Sequence, residues 1–210
     1  MKINEIFYSL QGEGTWTGLP NIFIRATNCN LRCSFCDTKY AYEEGTEMTI
    51  PEIMNDIKKY SCTRVCLTGG EPLLQKDTFP LLDTLAKKNY ITCVETNGSL
   101  SIQPLVKRKE ILISLDIKCP SSQMHTKMDM KNLSLLRTQD QLKIVIQNKE
   151  DYKYAKTVIK KYKTKGAIFF QPVWNSLQPS QLAEWILNDG LPVKLGLQLH
   201  KIVFGDKKGI

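Results

Sequence analysis

Three cysteines lie within eight residues of one another, in the string CNLRCSFC that runs from Cys29 through Cys33 to Cys36. Such short spacings let one irregular loop wrap a single inorganic centre at little cost in loop-closure entropy. Three thiolates on a four-iron, four-sulfur cubane leave one iron without a protein ligand, and a catalytic metal centre needs such an open position. The spacing therefore predicts a [4Fe-4S] cluster that can bind a small chelating ligand directly.

A zinc knuckle is the alternative use of these thiols, with Asp37 or His200 as the fourth ligand. Zinc sites usually combine two Cys-x-x-Cys or Cys/His pairs, and the sequence shows no second pair of this kind. The other cysteines are interpreted as core or helix-end residues, since no third thiol follows them at the needed distance: Cys62, Cys66, Cys93 and Cys119. The pattern favours the iron–sulfur cluster.

The composition is that of an ordinary globular protein. The 210 residues are 42% hydrophobic and 24% charged, which predicts one domain spanning 1–210 with a full hydrophobic core. Seven cysteines are an odd number, unlike the even count of a disulfide framework. The first residues form no apolar signal segment, and no apolar run is long enough for a membrane span. The expected location is therefore the cytoplasm.

The chain carries a formal net charge of +8, and much of the excess lies between Lys149 and Lys165. A nucleic-acid patch is one interpretation of this lysine-rich stretch. The other is the solvated face of an amphipathic helix whose inner side holds Tyr154, Val158 and Ile159. We favour the second, so no direct contact with nucleic acid is expected.

Short apolar runs alternate with helical patterns along most of the chain. Predicted strands cover residues 21–25, 65–68, 90–95, 111–116, 142–147, 167–171 and 195–200, with 3–8 as an extra one. Predicted helices cover residues 51–60, 78–88, 151–162 and 180–188. The first helix has a start signal, with Thr49 as its cap and Pro51 in its first turn. The alternation predicts parallel strands joined by right-handed crossovers.

The predicted fold class is α/β, an incomplete (β/α) barrel of about six parallel strands. Ligands of such barrels sit in the loops at the carboxyl ends of the strands. Polar and glycine-rich segments of this chain fall at those places: residues 29–38, 69–72 and 95–98, then Asp116 and Lys118, Gln171 and His200. The convergence predicts one site at this end of the barrel.

Two of these segments resemble the hallmarks of the radical S-adenosylmethionine (SAM) superfamily. One is the cysteine loop, with the aromatic Phe35 before its last thiol, and the other is the GGEP segment that follows Thr68. The resemblance implies that the amine and carboxylate of SAM chelate the open iron while the GGEP segment contacts the amine. Glycine suits that place because a residue without Cβ lets backbone approach a ligand closely.

Further segments resemble the 7-carboxy-7-deazaguanine synthases over essentially the whole chain. They are LQGEG at 10–14, Arg25, the Cys36-Asp37-Thr38 end of the cysteine loop, ETNGS at 95–99 and QLHK at 198–201. The resemblance implies a lyase that converts 6-carboxy-5,6,7,8-tetrahydropterin into 7-carboxy-7-deazaguanine with loss of ammonia, on the route to queuosine- or archaeosine-type bases in tRNA. It also implies regeneration of SAM, assistance by Mg²⁺, an external electron donor and a homodimer.

The resemblance assigns a role to each matching residue. Thr38 is the implied Mg²⁺ ligand, since a hydroxyl is a hard oxygen donor. The implied SAM-binding residues are Phe35, Gly70, Asp116, Ile117, Lys118 and Gln171. The implied substrate-binding residues are Leu10, Gln11, Gly12, Glu13, Arg25, Thr68, His200 and Ile210, the last through a terminal carboxylate.

Several of these roles have plainer alternatives. Arg25 suits a bidentate pair with a substrate carboxylate but could equally form an ion pair at the barrel mouth. Asp116 stands where the family usually has serine in a Ser-Pro-Lys sequence, so it either accepts ribose hydroxyls or caps a turn. His200 lies near the substrate or is a hydrogen-bonded core histidine at a strand end.

Two other functions compete with the synthase. A glycyl-radical enzyme activase shares the cluster loop and scaffold, but its site must admit a peptide loop. The QGEG segment, Arg25 and the tail ending at Ile210 favour a small carboxylated substrate. A non-catalytic iron–sulfur module that binds RNA through the lysine-rich helix would show salt-sensitive RNA binding and no cleavage of SAM.

Overall fold

A mixed β-sheet organises the fold in the computed structural model, which describes residues 1–205, 207 and 209. Across these residues nine strands form one sheet in the order β3-β1-β2-β4-β5-β6-β7-β8-β9. The strands are β1 (Lys2–Leu10), β2 (Pro20–Ala26), β3 (Thr46–Glu47), β4 (Arg64–Gly69), β5 (Ile91–Thr96), β6 (Ile111–Ile117), β7 (Gln141–Ile146), β8 (Ala167–Pro172) and β9 (Lys194–Leu195).

The sheet is parallel except at its first edge. β1 pairs with both β2 and β3 in antiparallel fashion, whereas β2 and β4 to β9 run parallel to their neighbours. Within the described residues the parallel set therefore has seven strands, of which β9 is only two residues long. β3 and β9 end the sheet without pairing with each other. The predicted α/β class and the unclosed, mostly parallel sheet are confirmed, whereas the predicted count of about six parallel strands is not, since the described residues form seven.

Helices cross between the parallel strands and cover the sheet. They are α1 (Ile50–Ile57), α2 (Thr78–Lys87), α3 (Gln103–Val106), α4 (Asn132–Leu135), α5 (Lys149–Lys161), α6 (Pro179–Asn188) and α7 (Leu199–Phe204). α1 starts as predicted: the Glu52 amide donates to Thr49 Oγ1, and the Thr49 amide donates to the Glu52 carboxylate. Such a capping box satisfies two amides that a helix end otherwise leaves unpaired.

The core lies between the sheet and these helices. Ile113, Leu115 and Ile117 of β6 alternate along the strand, so they lie on one face of the sheet, and all three are fully buried. Tyr152 of α5 is also buried and packs its ring edge-on against Phe170 of β8. The amphipathic helix is confirmed, but its buried face is centred on Tyr152, Ala155 and Val158, whereas Tyr154 and Ile159 of the predicted inner side are only half-buried. No helix of the described residues combines the length and apolarity of a membrane span.

The predicted strand at 195–200 is confirmed only at Leu195 and is wrong for residues 196–200. β9 ends at Leu195, and His200 lies in helix α7. The Gly196 amide still donates to Phe170 O of β8, but the Leu199 amide donates to Gly12 O, far away in sequence. This long-range bond turns the chain off the sheet edge. Elements of two to four residues, such as β3, α3 and α4, were also not predicted because they are too short for a hydrophobic period.

Candidate active site

A cavity of about 520 Å³ lies inside the curve of the sheet. Its top is formed by loops that follow the parallel strands, residues 27–38, 70–72, 97–99 and 118–122, which we call the rim. Its base is the connection between β1 and β2, residues 11–19, which we call the floor. Most of the predicted site residues line it: Leu10, Gln11, Gly12, Glu13, Arg25, Cys29, Cys33, Cys36, Thr38, Thr68, Gly70, Asp116, Lys118 and His200.

The floor crosses the sheet at the opposite end from the rim. The Thr15 amide donates to Oε1 of Gln141, the first residue of β7, at 2.7 Å. The floor is therefore tied to the start of β7, and its Gln11 and Glu13 line the cavity. We predicted that the site lies in loops at the carboxyl ends of the strands, and the rim fits this prediction. Residues 10–13 belong to the connection between β1 and β2 and reach the same cavity by another route.

The GGEP segment clamps the start of the cysteine loop through backbone bonds. The Gly70 amide donates to Ala26 O at 3.0 Å, and the Glu71 amide donates to Asn28 O at 2.8 Å. A Cβ on Gly70 would collide with that same Asn28 carbonyl. Asn28 itself adopts φ 78°, the left-handed conformation that asparagine tolerates better than most residues. Glycine at position 70 is therefore needed for this close approach of two loops.

Two other rim loops also hold the cysteine loop. Asn97 Nδ2 donates to Asn30 Oδ1 at 3.0 Å, and Asn30 Nδ2 donates to Ser99 Oγ at 2.8 Å. On the other side, Ser34 Oγ donates to Ser121 O at 2.6 Å. The loops that follow β4, β5 and β6 thus fix the segment that carries the thiols.

The thiols themselves have the chemistry that a cluster requires. Cys29, Cys33 and Cys36 are free, half-buried and exposed to the same cavity. Among the described residues no three His, Cys, Asp or Glu side chains converge as ligands of a single ion would. A cubane needs no such convergence, because each thiolate binds a different iron. The three thiols fit a [4Fe-4S] cluster better than a mononuclear zinc ion.

The positive charge of Lys118 lies close enough to the thiols to affect the pKa of Cys33. Burial raises the pKa of the Cys33 thiol, whereas the Lys118 ammonium acts in the opposite direction. Because metal binding requires thiolates, a neighbouring ammonium favours the metal-bound form. Lys118 lines the cavity between the cysteine loop and β6.

Glu71 is a buried carboxyl group that sequence reasoning did not single out. Its oxygens accept from the Asn97 amide at 2.6 Å, the Leu73 amide at 3.0 Å and Thr96 Oγ1 at 2.9 Å. Burial raises its pKa to about 7, although these hydrogen bonds favour the ionised form. Glu71 joins the loop after β4 to the loop after β5.

Glu95 connects the floor to the middle of the sheet. It accepts from Thr68 Oγ1 at 2.7 Å and from Gln11 Nε2 at 3.1 Å. The ETNGS segment marked this region in the sequence, but Glu95 was not named as a site residue. The Glu95 carboxylate thus accepts hydrogen bonds from two residues that were predicted to contact the substrate, Thr68 and Gln11.

Four charged side chains form a chain across the cavity. Glu13 pairs with Lys143 of β7, Lys143 Nζ lies 3.4 Å from Asp116 Oδ1, and Lys118 Nζ lies 2.7 Å from Asp116 Oδ2. Burial opposes ionisation of all four, but their mutual attraction lowers the pKa of Glu13 and Asp116 and raises the pKa of Lys118 and Lys143. They are therefore charged at neutral pH. The signal for Lys143 was a lysine within an otherwise apolar strand.

Arg25 reaches the cavity from β2. Its Nε donates to Glu5 Oε1 at 2.7 Å, and Tyr40 OH donates to the same oxygen at 2.8 Å. The guanidinium carbon lies 5.7 Å from the centre of the Phe7 ring, which stacks on Phe23. The mouth ion pair considered from the sequence is therefore present, and Arg25 lines the cavity as well.

α7 closes one side of the cavity against the floor. A Cβ on Gly12 would overlap the His200 imidazole, so glycine is required where this ring packs. Burial lowers the pKa of His200, although the Glu13 carboxylate counteracts this effect. Lys201 Nζ donates to Asp37 Oδ2 at 2.9 Å. Burial would raise the pKa of Asp37, but Lys201 lowers it to about 2.

Thr38 lies in the cavity wall, where its Oγ1 donates to Asp37 Oδ1 at 3.0 Å. Three of the other predicted residues lie outside the lining. Gln171 lies behind the lining and donates from Nε2 to Glu13 Oε1 at 2.9 Å. Phe35 is half-buried and Ile117 fully buried, both away from the cavity lining. Ile210 lies outside the described residues.

Comparison with known proteins matches this arrangement to one family. A profile described as the radical SAM superfamily matches residues 23–168. A 7-carboxy-7-deazaguanine synthase from Thermoplasma acidophilum is 39% identical over 100% of both chains. Another from Chlorobaculum tepidum is 41% identical over 100% of this chain and 97% of its own.

A solved structure has a similar fold. The crystal structure of QueE from Escherichia coli superposes with a TM-score of 0.77, at 23% identity, over 95% of this chain and 94% of that one. The rim with its three thiols falls within the matched segment of the superfamily profile. The chain therefore belongs to the 7-carboxy-7-deazaguanine synthase family and is a radical SAM enzyme.

Proposed function

We propose that the chain converts 6-carboxy-5,6,7,8-tetrahydropterin into 7-carboxy-7-deazaguanine with loss of ammonia. The proposal rests on one observation: a single cavity brings the cysteine loop together with Arg25, Gln11 and Glu95. A cation for a carboxylate and an amide–carboxylate pair for a heterocycle edge are what a carboxylated pterin requires. The names of the relatives support the same reaction.

Cys29, Cys33 and Cys36 would hold the [4Fe-4S] cluster. When bound, the cluster and SAM supply an electron transfer that cleaves the sulfonium and yields a radical able to remove a hydrogen atom from the substrate. The chain's own part is positioning. The Gly70 backbone, fixed by its bond to Ala26 O, offers a close approach for the methionyl group.

The nucleoside part of SAM would lie along the ends of β6 and β8. Asp116 is an ionised carboxylate held by two ammonium groups, and such an acceptor suits ribose hydroxyls. Lys118 then has two roles: it pairs with Asp116, and its positive charge favours the thiolate form of Cys33. The remaining assigned contacts are Phe35, Ile117 and Gln171.

The pterin would lie on the floor. Arg25 uses Nε for Glu5, and the other edge of its planar fork suits the substrate carboxylate. Glu95 and Gln11 already bond each other, so they present an ordered acceptor and donor to the pyrimidine edge. The remaining assigned contacts are Leu10, Gly12, Glu13, Thr68, His200 and Ile210.

Further elements of the proposal concern the metal ion and the partners. Thr38, beside the Asp37 carboxylate, carries hard oxygen atoms of the kind that Mg²⁺ prefers, and Mg²⁺ usually borrows its other ligands from substrate and water. The enzyme would work as a single-domain homodimer in the cytoplasm, with an external electron donor.

Anaerobic reconstitution tests the function. The reduced protein is mixed with SAM and the carboxytetrahydropterin, and the products are identified by mass. We expect carboxydeazaguanine and ammonia, with neither formed by the Cys33→Ala variant. Cleavage of SAM without conversion of the pterin would contradict the proposal and favour an activase. A colourless protein that binds RNA in a salt-sensitive manner would instead support the binding module.

A further inference from the structure

Lys143 is a buried cation that neither the motifs nor the proposed mechanism uses. It is the third residue of β7, on the same face of the strand as the buried Gln141, and it is only 8% exposed. A buried ammonium is costly unless it is paired and hydrogen-bonded. Its two partners, Glu13 and Asp116, belong to different parts of the cavity.

Glu13 is the floor partner of Lys143. Its Oε1 accepts from Gln171 Nε2 and from Gln198 Nε2, both at 2.9 Å, while Oε2 accepts from Lys143. The Glu13 carboxylate is therefore held from three elements, β7, β8 and the segment before α7. Its position is fixed by Lys143 on one side and by the two amides on the other.

Asp116 is the rim partner. It lies near the end of β6 and shares its two oxygens between Lys118 at 2.7 Å and Lys143 at 3.4 Å. Its charge is thus balanced from both directions, by one lysine at the rim and one lysine deep in the cavity. Lys143 is the shared member through which the floor carboxylate and the rim carboxylate are joined.

We infer that Lys143 is a positioning residue that couples binding of the pterin at the floor to binding of SAM at the rim. The inference rests on the proposed function, which places the pterin beside Glu13 and the nucleoside beside Asp116. Because Lys143 divides its charge between the two carboxylates, a ligand that donates hydrogen bonds to one carboxylate leaves more of the attraction of the ammonium for the other, which is then held more firmly for the second ligand. Such coupling is reciprocal, since each ligand changes the affinity of the other by the same factor.

Loss of Lys143 would remove the ammonium that connects Glu13 to Asp116. Of the two buried carboxylates, Asp116 would keep its ion pair with Lys118, whereas Glu13 would lose the cation that pairs with it and keep only neutral partners, Gln171 and Gln198. Repulsion between the two carboxylates would displace Glu13 and weaken the binding of both ligands. Replacement by arginine keeps the charge but not the compact ammonium, so partial coupling is expected from Lys143→Arg.

The test measures the dissociation constant of the carboxytetrahydropterin by anaerobic calorimetry, with and without SAM. Reconstituted but unreduced protein is used, so no turnover interferes. We expect SAM to tighten pterin binding by about tenfold in the unchanged protein. The ratio should fall to about one in Lys143→Met and stay unchanged in Lys156→Met, where a surface lysine that pairs with Asp189 is altered.

A second variant guards against a folding defect. The double change Glu13→Gln and Lys143→Met removes one carboxylate with the ammonium, so no excess negative charge stays buried, and coupling should still be absent. A ratio in Lys143→Met equal to that of the unchanged protein would overturn the inference, as would a ratio of one in the unchanged protein. If the unchanged protein binds SAM but no pterin, the proposed function itself fails together with the inference.

Discussion

The rim and the floor of the cavity are built by different means. The cysteine loop in the rim is held by neutral bonds, from the Gly70 and Glu71 amides to Ala26 O and Asn28 O and from the Asn97 side chain to Asn30. The floor has backbone bonds within its turn, but its Glu13 is held by an ion pair with Lys143, which also contacts Asp116 of β6. Backbone bonds depend on chain geometry, whereas ion pairs depend on charge and on particular residues. The rim thus suits a cofactor common to a superfamily, and the floor suits a single substrate.

The largest effect is expected at the rim. Cys33→Ala should abolish cluster binding, because two thiolates cannot hold a cubane that needs three. The measurement is iron content and the visible absorption of the reconstituted protein, with Cys62→Ala as the control. Cys62 is also a half-buried free thiol but lies outside the cavity. Equal iron content in Cys33→Ala and the unchanged protein would break the assignment of the rim.

The second prediction concerns the contact between Gly12 of the floor and His200 of α7. Gly12→Ala places a methyl group where the His200 ring lies, so the floor or the helix must shift. We expect a loss of substrate affinity of about a hundredfold, since misplaced binding groups cost this much. Calorimetry of pterin binding measures it. The double change Gly12→Ala and His200→Ala should regain part of the affinity if the clash is the cause, and no recovery would contradict it.

A smaller effect sharpens the role of Arg25 on the substrate side. Arg25→Lys keeps the charge but loses the planar fork, so the pterin KM should rise about tenfold while kcat changes little. The affinity for SAM, which lies at the rim, should stay the same. An equal loss of SAM and pterin affinity would mean that Arg25 serves the fold through Glu5 rather than the substrate.

The prediction for Glu71 concerns the stability of the fold and no ligand. Its pKa is raised to about 7 in the folded protein, so between its ordinary value and that pH the folded state binds more protons than the unfolded state. Its contribution to stability is therefore greatest at low pH and falls as the pH rises, by about 3 kcal/mol in all. Urea unfolding of metal-free protein should show a flatter pH profile for Glu71→Gln, and identical slopes would contradict this.

Sequence reasoning worked best where the chemistry is local. The thiols are spaced within one loop, and the GGEP segment is contiguous, so residue types alone indicated the rim. The strand–helix alternation likewise predicted the mostly parallel sheet, and Thr49 predicted the start of α1. These features depend on neighbours in the chain.

The parts that were missed depend on distant contacts. Lys143 is separated from Glu13 by 130 positions, so no local pattern could show that they pair. The strand predicted through His200 failed because Leu199 bonds to Gly12 on the floor. Glu95 stands in a recognised segment, but its two contacts come from other strands and loops. The floor is assembled by the fold, and its charges could be found only in three dimensions.

One measurement tests most directly whether rim and floor form a single reaction chamber. The carboxytetrahydropterin is supplied with deuterium on its reduced ring carbons, and SAM and its adenosyl products are recovered after turnover. If both ligands share the cavity, deuterium should appear in the adenosyl group, as detected by mass spectrometry. Formation of carboxydeazaguanine with no deuterium in any adenosyl compound would contradict the account.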